Sequence, residues 1–155
     1  MVERFHKRIQ KDLNLCFKSQ NYTLMPHSDN QHEFIMNFVS TSHFYEGQNH
    51  SINIKLKYGS GNDIYFYPIN APLCTFLTPI WHPNIDKYGS GIICMDTLKE
   101  SWDTTMTIDN IYSMLMLLLS EPNPNSPQNP EAAKQFINDI SLFKQHVTEY
   151  FLNNI

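Results

Sequence analysis

The chain has 155 residues, 41% of them hydrophobic and 17% charged, a balance typical of a folded domain rather than of a disordered chain. The net charge of −4 argues against a dedicated nucleic-acid-binding protein, which normally carries a basic excess. Three widely spaced cysteines, together with no apolar signal core and no run long enough to span a bilayer, favour a reduced cytoplasmic or nuclear protein without a membrane role.

The first segment has the apolar spacing of an amphipathic helix. Its apolar positions, three or four residues apart, are Val2, Phe5, Ile9, Leu13 and Cys16. The basic residues that lie largely off this stripe are Arg4, Lys7, Arg8 and Lys11. We therefore predict an N-terminal helix with an exposed basic face.

Four runs rich in aromatic and branched residues follow, at 22–25, 34–39, 52–56 and 73–78. Short turn-forming stretches separate them, among them 59–63 (Gly-Ser-Gly-Asn-Asp), and no helix lies between them. Sequential strands joined in this way favour an antiparallel meander over a parallel sheet.

The stretch from Pro79 to Trp102 lacks periodicity, and a loop of this length in a compact domain is usually functional. A buried helix then begins after an N-cap at Thr107 and stops before Pro122. Asn129 caps a further helical stretch that reaches the C-terminus with one break near Ser141. The predicted fold is a single α+β domain over 1–155: an N-terminal helix, a four-stranded antiparallel meander sheet, a long loop and two to three C-terminal helices.

Cys94 lies in the long irregular segment, where a thiol can be exposed, whereas Cys16 and Cys74 fit buried positions. A free cysteine beside apolar residues is more often a small core residue than a nucleophile, so both readings remain open at this point. His82 fits either a general base or, preferably, a brace for its loop. Asn84 either caps a turn or donates to an oxyanion. The histidines show no ligand spacing, so no metal site is predicted.

Several motifs occur in a fixed order along the chain: Tyr45-Glu46-Gly47, 67–72 (Tyr-Pro-Ile-Asn-Ala-Pro), 81–85 (Trp-His-Pro-Asn-Ile), 91–95 (Gly-Ile-Ile-Cys-Met), Trp102 and 121–124 (Glu-Pro-Asn-Pro). Each motif alone is weak, but the ordered set is specific. From Lys7 to the C-terminus the chain resembles the ubiquitin-conjugating enzyme family.

The resemblance implies that Cys94 carries ubiquitin, or a related modifier, as a thioester received from an activating enzyme and passes it to a substrate lysine or a ligase cysteine. It implies that Asn84 stabilises the oxyanion or its loop and that His82 braces the turn. No cofactor is implied, since ATP is used only by the activating enzyme. The implied surface for the ligase and the activating enzyme comprises Lys7, Arg8, Lys11, Ile69, Thr104 and Thr105.

The chain departs from the common family pattern at several positions. Many relatives carry an acidic residue where this chain has Ser126, and often another at Asn125, which leaves Asp96 as a substitute acid. The loop from Asn84 to Cys94 is two residues longer, and the stretch 57–66 is also lengthened.

Residues 8–14, 119–133 and 142–145 look most like the neddylation branch, which usually has an N-terminal extension, whereas this chain begins at the helix. The predicted modifier is ubiquitin, with a Nedd-type modifier as the alternative. A non-catalytic ubiquitin-binding relative would generally lack the cysteine. A cysteine hydrolase would need a further group to orient its base.

Overall fold

The N-terminal helix, α1, spans Val2–Cys16 in the computed structural model, which describes residues 2–88, 90–93 and 98–155. Its predicted stripe faces the core, because Leu13 and Cys16 are buried and Ile9 packs against the buried cluster. Of the basic residues, Lys7 is exposed, whereas Arg8 is half-buried. The basic face is therefore less uniform than the sequence predicts.

Four strands form the predicted antiparallel sheet. They are β1 (Tyr22–Pro26), β2 (Glu33–Val39), β3 (Asn49–Lys55) and, after an inserted hairpin, β6 (Leu73–Phe76), in the spatial order β1-β2-β3-β6. Leu24, Met36, Ile52 and Phe76 lie opposite one another across all four strands, and all are buried. One face of the sheet is thus the floor of the core, which confirms the predicted α+β meander.

The inserted hairpin, β4 (Lys57–Ser60) and β5 (Asp63–Phe66), was predicted only as a turn between strands. Its residues are exposed apart from the half-buried Tyr58, so the sequence offers no alternation of buried and exposed positions from which to infer strands. The Tyr58 and Tyr65 rings stack across the two strands, with centroids 5.1 Å apart. This cross-strand pair supports a hairpin that buries little else.

Three helices follow the long loop, at α2 (Ile108–Ser120), α3 (Pro130–Asn138) and α4 (Ile140–Asn154). The predicted cap at Asn129 is present, with its side chain accepting from the Ala132 N–H at 3.2 Å. The break predicted near Ser141 is present at Asp139, two residues earlier, where the Asp139 side chain accepts from the Leu142 N–H and caps α4. No helix in the described ranges has the length and apolar character needed to cross a bilayer.

Candidate active site

The segment that leads to Cys94 is attached to the edge of the sheet. Ile92 forms an antiparallel bridge with Thr75 of β6, and Ile93 forms one with Ile85. These two bridges hold the last described residues before the cysteine beside both the sheet and the turn that precedes Ile85. Cys94 itself, like the predicted acid Asp96, lies outside the described residues.

A glycine makes the first of these attachments possible. Gly91 has φ of +60°, and its carbonyl accepts from the Phe76 N–H at 2.8 Å. A Cβ at this position would lie 1.8 Å from the Phe76 carbonyl oxygen, far inside van der Waals contact. Residue 91 must therefore be glycine both for its left-handed backbone and for its close approach to β6.

His82 is fully buried at the start of the turn, with both ring nitrogens in use. Nε2 lies 3.0 Å from the Leu118 carbonyl, and Nδ1 accepts from the Asn84 N–H at 2.9 Å. Because a carbonyl only accepts and an N–H only donates, the neutral tautomer carries its proton on Nε2. Burial lowers the pKa of His82 to about 4, and the contact with Leu118 offsets only part of that shift. The geometry is that of a brace between the turn and α2, with no free nitrogen to act as a base.

Asn84 is also fully buried, and its side chain is occupied by the segment 121–127. Its Nδ2 donates to the carbonyl oxygens of Asn123 at 2.6 Å and Ser126 at 3.4 Å, while Oδ1 accepts from the Asn123 N–H at 2.8 Å. Exchanging the amide oxygen and nitrogen would set donor against donor and acceptor against acceptor, so this orientation is fixed. In this conformation both N–H groups of the amide are engaged, and neither points freely toward an oxyanion.

Trp81 anchors the start of the same turn through contacts that the sequence did not indicate. Its indole Nε1 donates to Gln135 Oε1 at 3.0 Å, and its carbonyl accepts from the Tyr45 hydroxyl at 2.7 Å. Tyr45 is wholly buried, and burial raises the pKa of its hydroxyl well above the ordinary value, so the group stays a neutral donor. The buried polar residue Gln135 is the one available signal, since it interrupts the apolar side of its helix.

The family model for ubiquitin-conjugating enzyme matches residues 8–151, nearly the whole chain. The chain belongs to the ubiquitin-conjugating enzyme family. It is 34% identical over 142 residues to ubiquitin-conjugating enzyme E2 27 of Arabidopsis thaliana, covering 88% of this chain and 69% of that protein. It is 37% identical over 101 residues to ubiquitin-conjugating enzyme E2 K of Homo sapiens, covering 65% of this chain and 46% of that protein. The chain thus spans less than half the length of this second relative.

The fold agrees with the same assignment. The E2 domain of a Toxoplasma gondii ubiquitin conjugating enzyme superposes with a TM-score of 0.79 at 29% identity, covering 96% of this chain and 98% of that one. These relatives are named for ubiquitin conjugation, and the predicted likeness to the neddylation branch gains no support from them.

Asn125 and Ser126, which stand where an acid was expected from the family pattern, are exposed. They lie on the segment 121–127, which Asn84 binds through the Ser126 carbonyl. The Asn125 N–H donates to the Asn123 side-chain oxygen at 3.1 Å, which closes a local turn. A side chain at 126 is therefore free to be replaced without disturbing the core, and only its carbonyl contacts the turn.

Arg8, one of the residues of the predicted ligase surface, is held by hydrogen bonds within the molecule. Its guanidinium does not extend into solvent: Nε donates to Asp12 at 2.7 Å, and the two Nη atoms donate to the carbonyls of Thr104, Thr105 and Met106 at 3.1, 3.2 and 2.6 Å. Asp12 is buried and also accepts from the Tyr67 hydroxyl. Sequence periodicity missed this role because an arginine off the apolar stripe is usually solvated.

The other predicted surface residues are exposed in this structure, namely Lys7, Lys11, Ile69, Thr104 and Thr105. Lys7 forms an ion pair with Glu3 at 3.2 Å within α1. Ile69 exposes 56% of its surface and lines an apolar groove of about 400 Å³ with Phe5 and Ile9 of α1. Arg8 joins α1 to the loop that carries Thr104 and Thr105, and the groove joins α1 to the loop that carries Ile69. The predicted surface residues therefore lie on one side of the molecule.

Proposed function

We propose that this chain carries ubiquitin as a thioester on Cys94 and transfers it to lysine with a ligase. In the loading step, the Cys94 thiolate attacks the thioester carbonyl on the activating enzyme, whose cysteine leaves as a thiolate. In the transfer step, a neutral lysine amine attacks the Cys94 thioester carbonyl. The new isopeptide bond forms as the C–S bond breaks, and the amine's proton is lost as the Cys94 sulfur leaves.

The observation that carries this proposal is the attachment of Ile93. Its bridge to Ile85 places the residue before Cys94 next to the turn that His82 and Asn84 stabilise. A nucleophile on an anchored segment reacts with less loss of orientational freedom than one on a free loop. The family assignment supports this reaction, because Cys94 is the cysteine that matches the family's motif.

For Asn84 we propose a loop-holding role before any electrostatic one. Its amide N–H groups already donate to Asn123 and Ser126. Donation to an oxyanion at Cys94 requires at least one of these contacts to break first. Holding the loop and donating to an oxyanion therefore require the same amide N–H groups. In this structure those N–H groups are bonded to the loop.

The test is a charging reaction with activating enzyme, ATP and ubiquitin, resolved on a gel with and without thiol reductant. The parent chain should give a reductant-sensitive adduct, Cys94→Ser a reductant-resistant oxyester, and Cys94→Ala none. Cys16→Ala, which alters a buried cysteine on α1, is the matched control and should charge normally. An adduct that survives Cys94→Ala would refute the assignment.

A Nedd-type modifier is the second candidate, favoured by the sequence likeness at 8–14, 119–133 and 142–145. Parallel reactions with each modifier and its own activating enzyme separate the two. Charging only with the Nedd-type modifier would overturn the choice of ubiquitin and leave Cys94 in place. We propose the same partners in either case, an activating enzyme, a ligase and substrate lysines, acting in cytoplasm or nucleus without a cofactor.

A further inference from the structure

The lengthened loop 86–92 is closed by its own hydrogen bonds. At its neck, the Asp86 N–H donates to the Ile92 carbonyl at 3.0 Å. The Asp86 carboxylate accepts from the Tyr88 N–H at 3.1 Å and from the Ser90 hydroxyl. Because Asp86 is bonded to Ile92, a displacement of residues 86–88 also moves Ile92 and Ile93, the two bridged residues before Cys94.

Lys87 attaches this closed loop to the two C-terminal helices. Its Nζ lies 2.6 Å from Glu131 Oε2, in the first turn of α3, and 5.0 Å from the centroid of the Trp81 ring. Its backbone carbonyl accepts from the Tyr150 hydroxyl of α4 at 2.9 Å. One loop residue thus contacts three separate parts of the molecule, with its side chain and its backbone both engaged.

The contacts of Lys87 differ from those of an ordinary surface ion pair. Its side chain is only 18% exposed although Glu131 is 54% exposed, and its ammonium lies 5.0 and 5.3 Å from the centroids of the Trp81 and Tyr88 rings. The hydrogen bond to Glu131 raises the pKa of Lys87 and lowers that of Glu131, so both groups stay charged. An exposed pair alone contributes little, but the aromatic face and the Tyr150 hydroxyl act on the same residue.

We infer that Lys87 is a positioning residue for transfer from Cys94, since it latches the loop that leads to the cysteine onto α3 and α4. The inference rests on the proposed function. Ile85, next to Asp86 at the loop neck, is the bridge partner of Ile93, and Cys94 follows Ile93 directly. Loosening of Lys87 therefore reaches the residue before Cys94 through two consecutive pairs, Asp86 with Ile92 and Ile85 with Ile93. Catalytic geometry tolerates only small displacements, so the latch affects rate more than substrate affinity.

The experiment compares Lys87→Gln, which removes the charge, with Lys87→Arg, which keeps it. Lys134→Gln, at an exposed position on the same α3 helix, is the matched control for charge loss. Preformed thioester is mixed with increasing free lysine, and the discharge rate is followed in a single turnover. We expect Lys87→Gln to lower the maximal rate about fivefold with an unchanged KM for lysine, the scale of one ion pair and one cation–π contact together. Lys87→Arg and Lys134→Gln should stay within about twofold of the parent.

Amide hydrogen exchange supplies a second readout that needs no modifier. The Asp86 N–H should exchange about fivefold faster in Lys87→Gln than in the parent, since its opening no longer works against the latch. Equal discharge by parent and Lys87→Gln, an equal loss in Lys134→Gln, or unchanged Asp86 exchange would each overturn the inference. A parent chain that accepts no modifier overturns the proposed function instead, and Asp86 exchange then still reports whether Lys87 holds the loop.

Discussion

His50 is a buried histidine whose environment makes stability depend on pH. It projects from β3 into the core with 1% of its surface exposed, and within the described part of the chain neither ring nitrogen has a hydrogen-bond partner. The groups around its ring are aromatic or neutral: Phe38, Tyr45, Phe76, Phe151 and the nearby His82. No carboxylate among them favours the charged imidazolium, and burial lowers the pKa of His50 to about 4.

The size of the effect follows from the two buried histidines together. The pKa values of His50 and His82 are both lowered from 6.5 to about 4, so between these values the unfolded chain binds more protons than the folded one. The stability that comes from keeping these two histidines neutral is therefore fully present above pH 6.5 and is lost as the pH falls toward 4. Between pH 7.5 and pH 5.0 each histidine costs about 2 kcal/mol of unfolding free energy, about 4 kcal/mol for the pair.

The variant His50→Phe separates the two contributions. Phenylalanine keeps the aromatic contacts and cannot be protonated, so its loss of stability between pH 7.5 and 5.0 should fall by about 2 kcal/mol, to half the parent value. At pH 7.5 the variant should be about 1–2 kcal/mol more stable, because it removes a buried ring with unpaired nitrogens. Urea unfolding at both pH values, followed by circular dichroism, measures these differences.

The control for this prediction is His43→Gln, which removes an exposed histidine from the loop before β3. It should leave the acid destabilisation unchanged. If His50→Phe loses as much stability on acidification as the parent does, the imidazolium is accommodated in the folded state, and the account of His50 as a buried neutral group is wrong.

Three further substitutions test the site. Asn84→Ala leaves two carbonyls and one N–H of the segment 121–127 without partners, so it should cost about 3 kcal/mol in urea unfolding. It should slow charging and lysine transfer to a similar extent if Asn84 mainly holds the loop. A loss confined to lysine transfer would instead favour donation to the oxyanion. Gly91→Ala should lower the free energy of unfolding by more than about 3 kcal/mol, because the added Cβ meets the Phe76 carbonyl. Gly61→Ala, at nearly the same φ (+61°) but in open space, should cost only about 1 kcal/mol. Equal costs would show that the close approach of Gly91 to Phe76 is unimportant. Ser126→Asp should speed discharge to free lysine if the missing acid limits the reaction. An unchanged rate would mean that another group, or the substrate itself, assists deprotonation of the lysine.

Elements with a buried side were predictable from the sequence. The stripe through Ile9 and Leu13 and the cap at Asn129 both reflect local rules, and each is present in the structure. The hairpin β4–β5 escaped prediction because it buries almost nothing, and pairing between exposed strands leaves no periodic signal. The predicted helix break is also present, and its exact position, Asp139, is set by the capping side chain rather than by the apolar pattern.

The candidate site was predictable in its residue types but not in its contacts. The sequence places His82 and Asn84 in one turn, yet the partners of that turn lie 36 and 39 residues further along the chain, at Leu118 and Asn123. Neither partner has a distinctive side chain in this role, since both contribute backbone groups. Contacts to backbone atoms far along the chain follow from how the elements pack, which local patterns do not encode.

Arg8 connects the first helix to the backbone at 104–106 through three carbonyl oxygens. A partner that contacts both α1 and this backbone meets two elements whose spacing is already set. Association normally costs free energy to order loops and side chains, and a surface assembled in advance reduces that cost. The Arg8 guanidinium thus keeps α1 and the backbone at 104–106 at one spacing before any partner is met.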